Sequence, residues 1–201
     1  MTKTPADSLF TEIRQKALGD DVKIDTKQAV NWLARTMRQL YGGLSQKRVI
    51  ADSAVKTVSD PRVGRFYAFG YDPKHKETLP YYDRFPVVLI IGPAKGGAYG
   101  LNFHYLHPRD RAQLFDEIAK IGKRKLTRNT KMQVTYEMLK AASKMKRFKP
   151  CLKHYLSSHF TTKLGEIPTD QARIAIHLPT AKFIYNSNRT VWEKSRKQYR
   201  S

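Results

Sequence analysis

The sequence predicts an α+β fold: a small antiparallel, SH3-like sheet or barrel with a helical layer packed on it. Two observations carry this reading. Between Arg62 and Leu106 the apolar residues fall in short strand-like segments separated by Pro and Gly turns, and from Pro108 onward their spacing changes to three and four residues. A third observation bears on function. The 201 residues hold 38 Lys plus Arg against 17 Asp plus Glu, a formal net charge of +21. Self-repulsion at that charge costs stability, and a polyanionic partner is its natural complement.

In chain order, residues 1–61 read as a helical N-terminal arm and residues 62–201 as the α+β domain. Leu9, Phe10, Ile13 and Leu18 predict a short helix ended by Gly19. Asp25 and Thr26 offer capping oxygens to a second helix carrying Val30, Leu33, Met37 and Leu40 on one face, and Gly42-Gly43 stops it. Residues 44–61 read as a polar connector. Phe66, Tyr67, Phe69 and Tyr71 have strand propensity, and Asp72-Pro73-Lys74-His75 is a turn. Tyr81 to Ile91 is β-prone, and its end, Val87-Val88-Leu89-Ile90-Ile91, reads as a strand buried on both faces. Gly92-Pro93 through Gly96-Gly97 reads as a hairpin loop. The alternation of Tyr99, Leu101, Phe103 and Tyr105 then extends the next strand.

Helices are expected between 108 and 164. Pro108 opens the first, Leu114, Phe115, Ile118 and Ile121 form its stripe, and Gly122 ends it. A second is expected over Thr130–Phe148 on the stripe Val134, Met138, Ala141, Met145 and Phe148. A third is expected from Pro150, with Leu152, Tyr155, Leu156, His159 and Phe160 inward. Alternation of Ile174, Ile176 and Leu178 predicts that a strand at 173–178 returns to close the sheet. A basic helix is expected over 190–199.

Hydrophobic residues make up 40% of the chain and aromatics 11%, enough for a core, which excludes global disorder. The single Cys excludes a disulfide framework and a Cys-rich zinc site. The longest apolar run, Val87–Ile91, falls far short of the roughly 20 residues of a membrane helix. The first ten residues carry no apolar signal-peptide core, so a soluble intracellular chain is expected, with no membrane partner.

The charge is concentrated. Residues 120–153 hold twelve Lys or Arg against one acid, Glu137, and the tail from Lys182 to Arg200 holds six against Glu193. Lys123, Arg124, Lys125, Arg128, Lys131, Lys140, Lys144, Lys146, Arg147 and Lys149 form the candidate nucleic-acid-binding set, a basic helical face able to hold phosphates in register. The pattern speaks for charge and does not separate DNA from RNA or from an acidic protein surface. A solvated charged face is the simpler reading that it competes with.

Candidate chemistry is incomplete wherever it is sought. Gly92 to Gly100 holds Lys95 among glycines but lacks the Gly-Lys-Ser/Thr ending of a phosphate loop, so a hairpin turn explains it better. His104, His107, His154, His159 and His177 lack a metal-binding spacing. Asp72, Asp83 and Asp110, with Lys120, are the carboxylates and cation that a metal-dependent nuclease could use, without the family spacing of one. Cys151 follows Pro150 near an expected helix start, and an inert buried thiol is its default. In Tyr81-Tyr82-Asp83-Arg84-Phe85-Pro86, tyrosines beside cations could stack single-stranded bases; the alternative is a tyrosine-packed strand with Asp83 and Arg84 paired. No catalytic residue, metal or cofactor is assigned.

Four segments carry a resemblance. They are Phe69-Gly70-Tyr71-Asp72-Pro73-Lys74 with Leu79-Pro80-Tyr81-Tyr82-Asp83-Arg84-Phe85-Pro86; Gly100-Leu101-Asn102-Phe103-His104-Tyr105-Leu106; Phe148-Lys149-Pro150-Cys151-Leu152-Lys153-His154-Tyr155-Leu156; and Leu178-Pro179-Thr180-Ala181-Lys182-Phe183 with Val191-Trp192. They resemble a family from T4-like contractile-tailed phages of the marine and cyanobacterial type, over about Arg62 to Arg196. The resemblance implies a virion or assembly component, in the neck, tail or baseplate or on packaged DNA, present in the virion and in the host cytoplasm during assembly. Its partners would be other phage structural proteins and DNA or another polyanion. Separately, Arg84-Phe85-Pro86-Val87-Val88-Leu89 is similar to the barrel strand of plasmid-maintenance toxin endoribonucleases, which bears on the sheet more than on RNA cleavage. A non-enzymatic particle component is therefore expected, with a metal-dependent nuclease or toxin-like endoribonuclease as the alternative.

Overall fold

The computed structural model describes residues 9–23, 29–41, 55–122, 146–168, 171–177 and 183–200. The fold is α+β, built on a six-stranded antiparallel sheet. The strands are β1 (Thr57–Val58), β2 (Phe66–Ala68), β3 (Val87–Ala94), β4 (Gly97–Asn102), β5 (Leu152–Leu156) and β6 (Leu164–Ile167), in the order β1-β6-β2-β3-β4-β5. The helices are α1 (Leu9–Gly19), α2 (Ala29–Tyr41), α3 (Pro108–Gly122), α4 (Ala172–Ala175) and α5 (Asn188–Arg200).

Strand β3 shows why the sheet is buried on both sides. Val87, Leu89 and Ile91 belong to a core cluster with Phe66, Leu101, Phe103, Leu114, Ile174, Phe183 and Val191. Val88 and Ile90 point the other way, into a second cluster with Tyr67, Phe69, Tyr71, Ala98, Tyr155 and Leu164. The continuous apolar run is the signature of a strand covered on both faces. Helices α1 and α2 add Ile13, Ala29 and Leu33 to the first cluster, and β1, from the expected connector, pairs with β6 through Thr57↔Gly165. Half of the second cluster is aromatic: Phe69 meets Tyr155 and Phe160 edge-on at 5.2 and 4.8 Å.

The β3–β4 hairpin turns at Lys95-Gly96, with Ala94 opposite Gly97. Gly96 has φ 71°, a conformation that L side chains rarely adopt, and a Cβ at Gly97 would collide with the Tyr155 carbonyl. Glycine at these two positions lets the chain turn and lets β5 lie against β4.

Three expectations are corrected. First, the closing strand expected over 173–178 is not formed by its described residues, 173–177. Residues 172–175 form α4, with Ala175 N–H donating to Gln171 O and Ile176 N–H to Ala172 O. Ala172, Ile174, Ala175 and Ile176 are all buried, and a short segment buried all round shows no period that separates helix from strand. The returning strand is β6, which pairs with β2 through Phe66↔Ile167.

Second, no helix runs from Pro150. A 3-10 turn at Lys146–Cys151 leads into β5, an edge strand whose Tyr155 pairs opposite Ala98. Pro150 lies within that turn, where its missing N–H and the clash of its ring with the carbonyl four residues back oppose a regular helix. The helix expected over 130–148 lies outside the described residues up to 145. Third, β4 ends at Asn102, and Phe103–Tyr105 form a 3-10 turn because the Asn102 side chain accepts a hydrogen bond from His104 N–H at 2.9 Å.

Helix α3 carries a charged residue on its apolar face. Arg111 is 2% exposed; its Nε donates to Leu106 O and its Nη1 to Ile176 O, both at 2.9 Å. It thereby ties α3 to the turn before it and to the end of α4. Its guanidinium lies 5.6 Å from the Trp192 ring of α5. Helix α5 begins where Ser187 Oγ accepts from Thr190 N–H at 3.1 Å, an N-cap, two residues before the expected start.

Replacing Arg111 with Met should destabilise the fold by about 3 kcal/mol in denaturant unfolding, because buried carbonyls would be left without a charged donor. A second prediction concerns His177. It is buried, neither ring nitrogen has a hydrogen-bond partner among the described residues, and burial, then Arg111 and Arg173, lower its pKa to about 3 from 6.5. The folded ring stays neutral where the unfolded ring would bind a proton. Its contribution is therefore complete above about pH 6.5 and is lost toward pH 3, at about 1.4 kcal/mol per unit. The variant His177→Phe should lose distinctly less stability than the native chain between neutral pH and about pH 4.5, by unfolding midpoints.

Candidate nucleic-acid interface

Of the basic set read from the sequence, Lys123, Arg124, Lys125, Arg128, Lys131, Lys140 and Lys144 lie outside the described residues. Lys146, Arg147 and Lys149 fall on the 3-10 turn that leads into β5, and Lys149 is exposed. The basic stretch thus lies in sequence between α3 and the turn that leads into β5, a strand whose Lys153 and His154 line a cleft.

That cleft has a volume of about 440 Å³ and lies between the Leu79–Asp83 segment and strand β5. Tyr81 and Tyr82, both half-buried, form one wall, and Lys153, His154 and Tyr155 of β5 form the other. Asp83, Asn102 and Tyr105 also line it. Backbone pairing holds the first wall: Tyr82 bridges to Ile184, ahead of α5, and Tyr81 packs edge-on to Phe183 at 6.0 Å.

Behind the lining residues lies a buried hydrogen-bond network. Asp83 accepts from Phe85 N–H at 3.0 Å, Asn102 Nδ2 at 3.2 Å and His104 Nδ1 at 2.9 Å. Asn102 Nδ2 also donates to the Tyr155 hydroxyl at 3.2 Å. Burial is the main influence on His104 and lowers its pKa against the opposing pull of Asp83, so the ring is neutral and Nδ1–H donates to the carboxylate. The His104 carbonyl accepts from Trp192 Nε1 at 2.9 Å. All four segments that carried the resemblance contribute to this network and its cleft: Asp83 from one, Asn102 and His104 from another, Tyr155 from a third, and Phe183 and Trp192 from the last.

Charge within the cleft is unbalanced. Lys153 Nζ sits 3.9 Å from the centroid of the Tyr105 ring, and among the described residues no carboxylate pairs with it. Burial lowers its pKa. Lys74 is exposed at the rim, and Lys194 Nζ of α5 lies 5.4 Å from the Tyr81 ring. The one acid of the lining, Asp83, is taken up by its three donors.

The other candidates are placed apart. Asp72 pairs with Lys76 at 2.8 Å, and Asp110 lies 3.7 Å from Arg196. Asp83 pairs with His104 and not with Arg84, which is exposed. Among the described residues no group of three His, Cys, Asp or Glu could hold a metal ion. Cys151 is buried and burial pushes its thiol pKa up, as an inert thiol requires. The glycine-rich segment is the β3–β4 hairpin. Among the described residues no helix is long and apolar enough to cross a membrane.

The family described as phage T4 terminal DNA protecting protein matches residues 6–199. The chain belongs to that family. No curated protein and no solved structure matches it. The terminal DNA protecting protein family is a T4-phage family, as the resemblance implied, but its match reaches back over α1 and α2, which the resemblance left out. The Tyr–Asn–Asp–His network was not foreseen, although its members stand inside segments that were distinctive as words.

The network itself is testable. Asp83→Asn would put an amide N–H₂ among three donors, and should cost about 2 kcal/mol while the chain still folds. Tyr155→Phe removes one acceptor of Asn102 and should cost about 1 kcal/mol. Equal and negligible losses in thermal unfolding would remove the network from the stability of the fold.

Proposed function

We propose that this chain is a non-enzymatic DNA-binding component of a phage particle that occupies the end of linear DNA and shields it from exonucleases. The observation that carries the reading is the match of nearly the whole chain to a family described as terminal DNA protecting. The net charge of +21 supplies what such a protein needs, since neutralised phosphates release counterions and favour binding without regard to sequence. In this reading Lys123, Arg124, Lys125, Arg128, Lys131, Lys140, Lys144, Lys146, Arg147 and Lys149 contact the phosphate backbone near the terminus. Among the places expected for the chain, packaged DNA is favoured over neck, tail or baseplate, and it is reached in the infected cell during assembly. Other structural proteins of the particle would be neighbours of the DNA end.

The test is protection. Linear duplex DNA incubated with the purified chain should resist a processive exonuclease that degrades it when alone, and the chain should not cleave it with magnesium or manganese. Lys140→Glu, Lys144→Glu and Arg147→Glu together should weaken DNA binding at least tenfold at physiological salt. The slope of log affinity on log salt should flatten by about 0.9 for each phosphate that is no longer neutralised. Protection unchanged in the triple variant would remove these residues from the interface. Cleavage that vanished in Asp83→Asn or Asp110→Asn, with the fold intact, would favour a nuclease.

A further inference from the structure

We propose that the cleft between Leu79–Asp83 and β5 seats the unpaired terminal nucleotide of a DNA strand, with its base on Tyr82 and its phosphate at Lys153. The proposal rests on the reading of the chain as a DNA-end binder and names the site at which the end is held.

Three features of the cleft lead to it. Its volume of about 440 Å³ suits one small ligand and excludes a duplex, so a base enters only if it has left the stack. Its cation lacks a counter-charge: Lys153 is half-buried, held over Tyr105, and faces the cleft with no carboxylate pairing among the described residues. A desolvated ammonium in that position is complementary to an anion, and a bound phosphate would stabilise its charged form. Its aromatic wall is open. Tyr82 is half-buried, and the wall continues onto Tyr185, which is 65% exposed and meets Tyr82 edge-on at 6.0 Å. Tyr185 holds φ 68°, an unusual conformation for a residue with a bulky side chain, and so presents an apolar ring to water beside the cleft.

An aromatic wall facing an uncompensated cation is the combination that holds single-stranded nucleic acid, because every base has a face to stack and every nucleotide a phosphate. The carboxylate in the cleft is turned to the core, where three donors occupy Asp83, which is 5% exposed, and Lys153 is left without it as an ion-pair partner. The rigid network beneath the lining fixes the distance between the two walls, so the stack and the ion pair are offered together.

The experiment compares two DNAs with the full-length chain: a short duplex with a phosphorylated single-stranded overhang, and the same duplex closed at both ends by hairpin loops. The quantity read is the ratio of the two affinities, in which a general loss of charge cancels. The native chain should prefer the open end. Tyr82→Ala and Lys153→Met should each reduce that preference about tenfold, the size of one base stack or one charged hydrogen bond. Tyr185→Ala, at an exposed position that leaves the core untouched, should reduce it in the same direction. A photoreactive 5-iodouracil at the terminal position should crosslink to Tyr82 or its neighbours.

A native chain that prefers and protects open ends, with a preference unchanged in all three variants or a crosslink mapping elsewhere, would overturn the cleft proposal and leave end protection standing. A native chain that binds open and closed DNA alike and gives no protection would overturn both. Displacement of the DNA from the cleft by a poly-glutamate peptide at equal affinity would assign the cleft to an acidic protein and overturn the nucleotide reading.

Discussion

The fold depends on how one buried histidine is satisfied. His104 is fully buried, and its ring, amide and carbonyl all reach partners: the nearby Asn102 and Arg111 side chains and, from farther along the chain, Asp83 and Trp192. Burying so many polar groups is costly unless each is bonded, and leaving one unbonded costs more than a typical hydrogen bond contributes. The segment before β3, the turn after β4 and helix α5 are therefore locked to one arrangement. Arg111 extends the same constraint to α4 by holding the Ile176 carbonyl. Apolar packing alone would tolerate small shifts of these elements, whereas a donor and acceptor at 2.9 Å do not.

This arrangement also sets the character of the cleft. The groups nearest the core use their hydrogen-bonding capacity on one another, so the cleft offers its ligand mainly aromatic faces and a lysine. The second sheet face serves the same end. The Tyr71 ring joins the aromatic cluster while its hydroxyl accepts from Leu156 N–H at 3.1 Å, pinning the end of β5 on which Lys153 and His154 stand. The position of the cationic wall is thus a product of sheet packing.

Much of the fold was legible in the sequence, and the reason is length and punctuation. Helices α1, α3 and α5 follow apolar stripes with a glycine, a proline or a serine at an end, and β3 opens on an aliphatic run, four of whose five residues are β-branched, and is closed by a glycine turn. What was misread is short: 172–175 is buried on all sides, and 152–156 is an edge strand with only Tyr155 buried. In 172–175 and 152–156 the local pattern fits two periods, and the choice between them is made by remote partners: Arg111 for one and the β4 backbone for the other. Of the cleft, Tyr81 and Tyr82 stood out as a tyrosine pair between prolines. Lys153 was hidden within a long basic stretch, and nothing local distinguishes a lysine facing a tyrosine in a cleft from one in water. Arg111 left a usable sign, a charge at a stripe position of α3 shared with Leu114, Phe115 and Ile118.

The pairing of β2 with β6 joins Phe66 to Ile167, a residue made much later, and β1 reaches the same strand. Strand β3 and its neighbours can form a local meander early. By contrast, β2 lacks one of its two partners until β6 is made, and the His104 carbonyl lacks its indole donor until residue 192 has been synthesised. Long-range pairings of this kind slow folding because loop closure precedes any gain from contact. The chain consequently cannot reach its final structure before residue 192 is made, and until then an incompletely folded polycation is exposed to every nucleic acid in the cell that makes it.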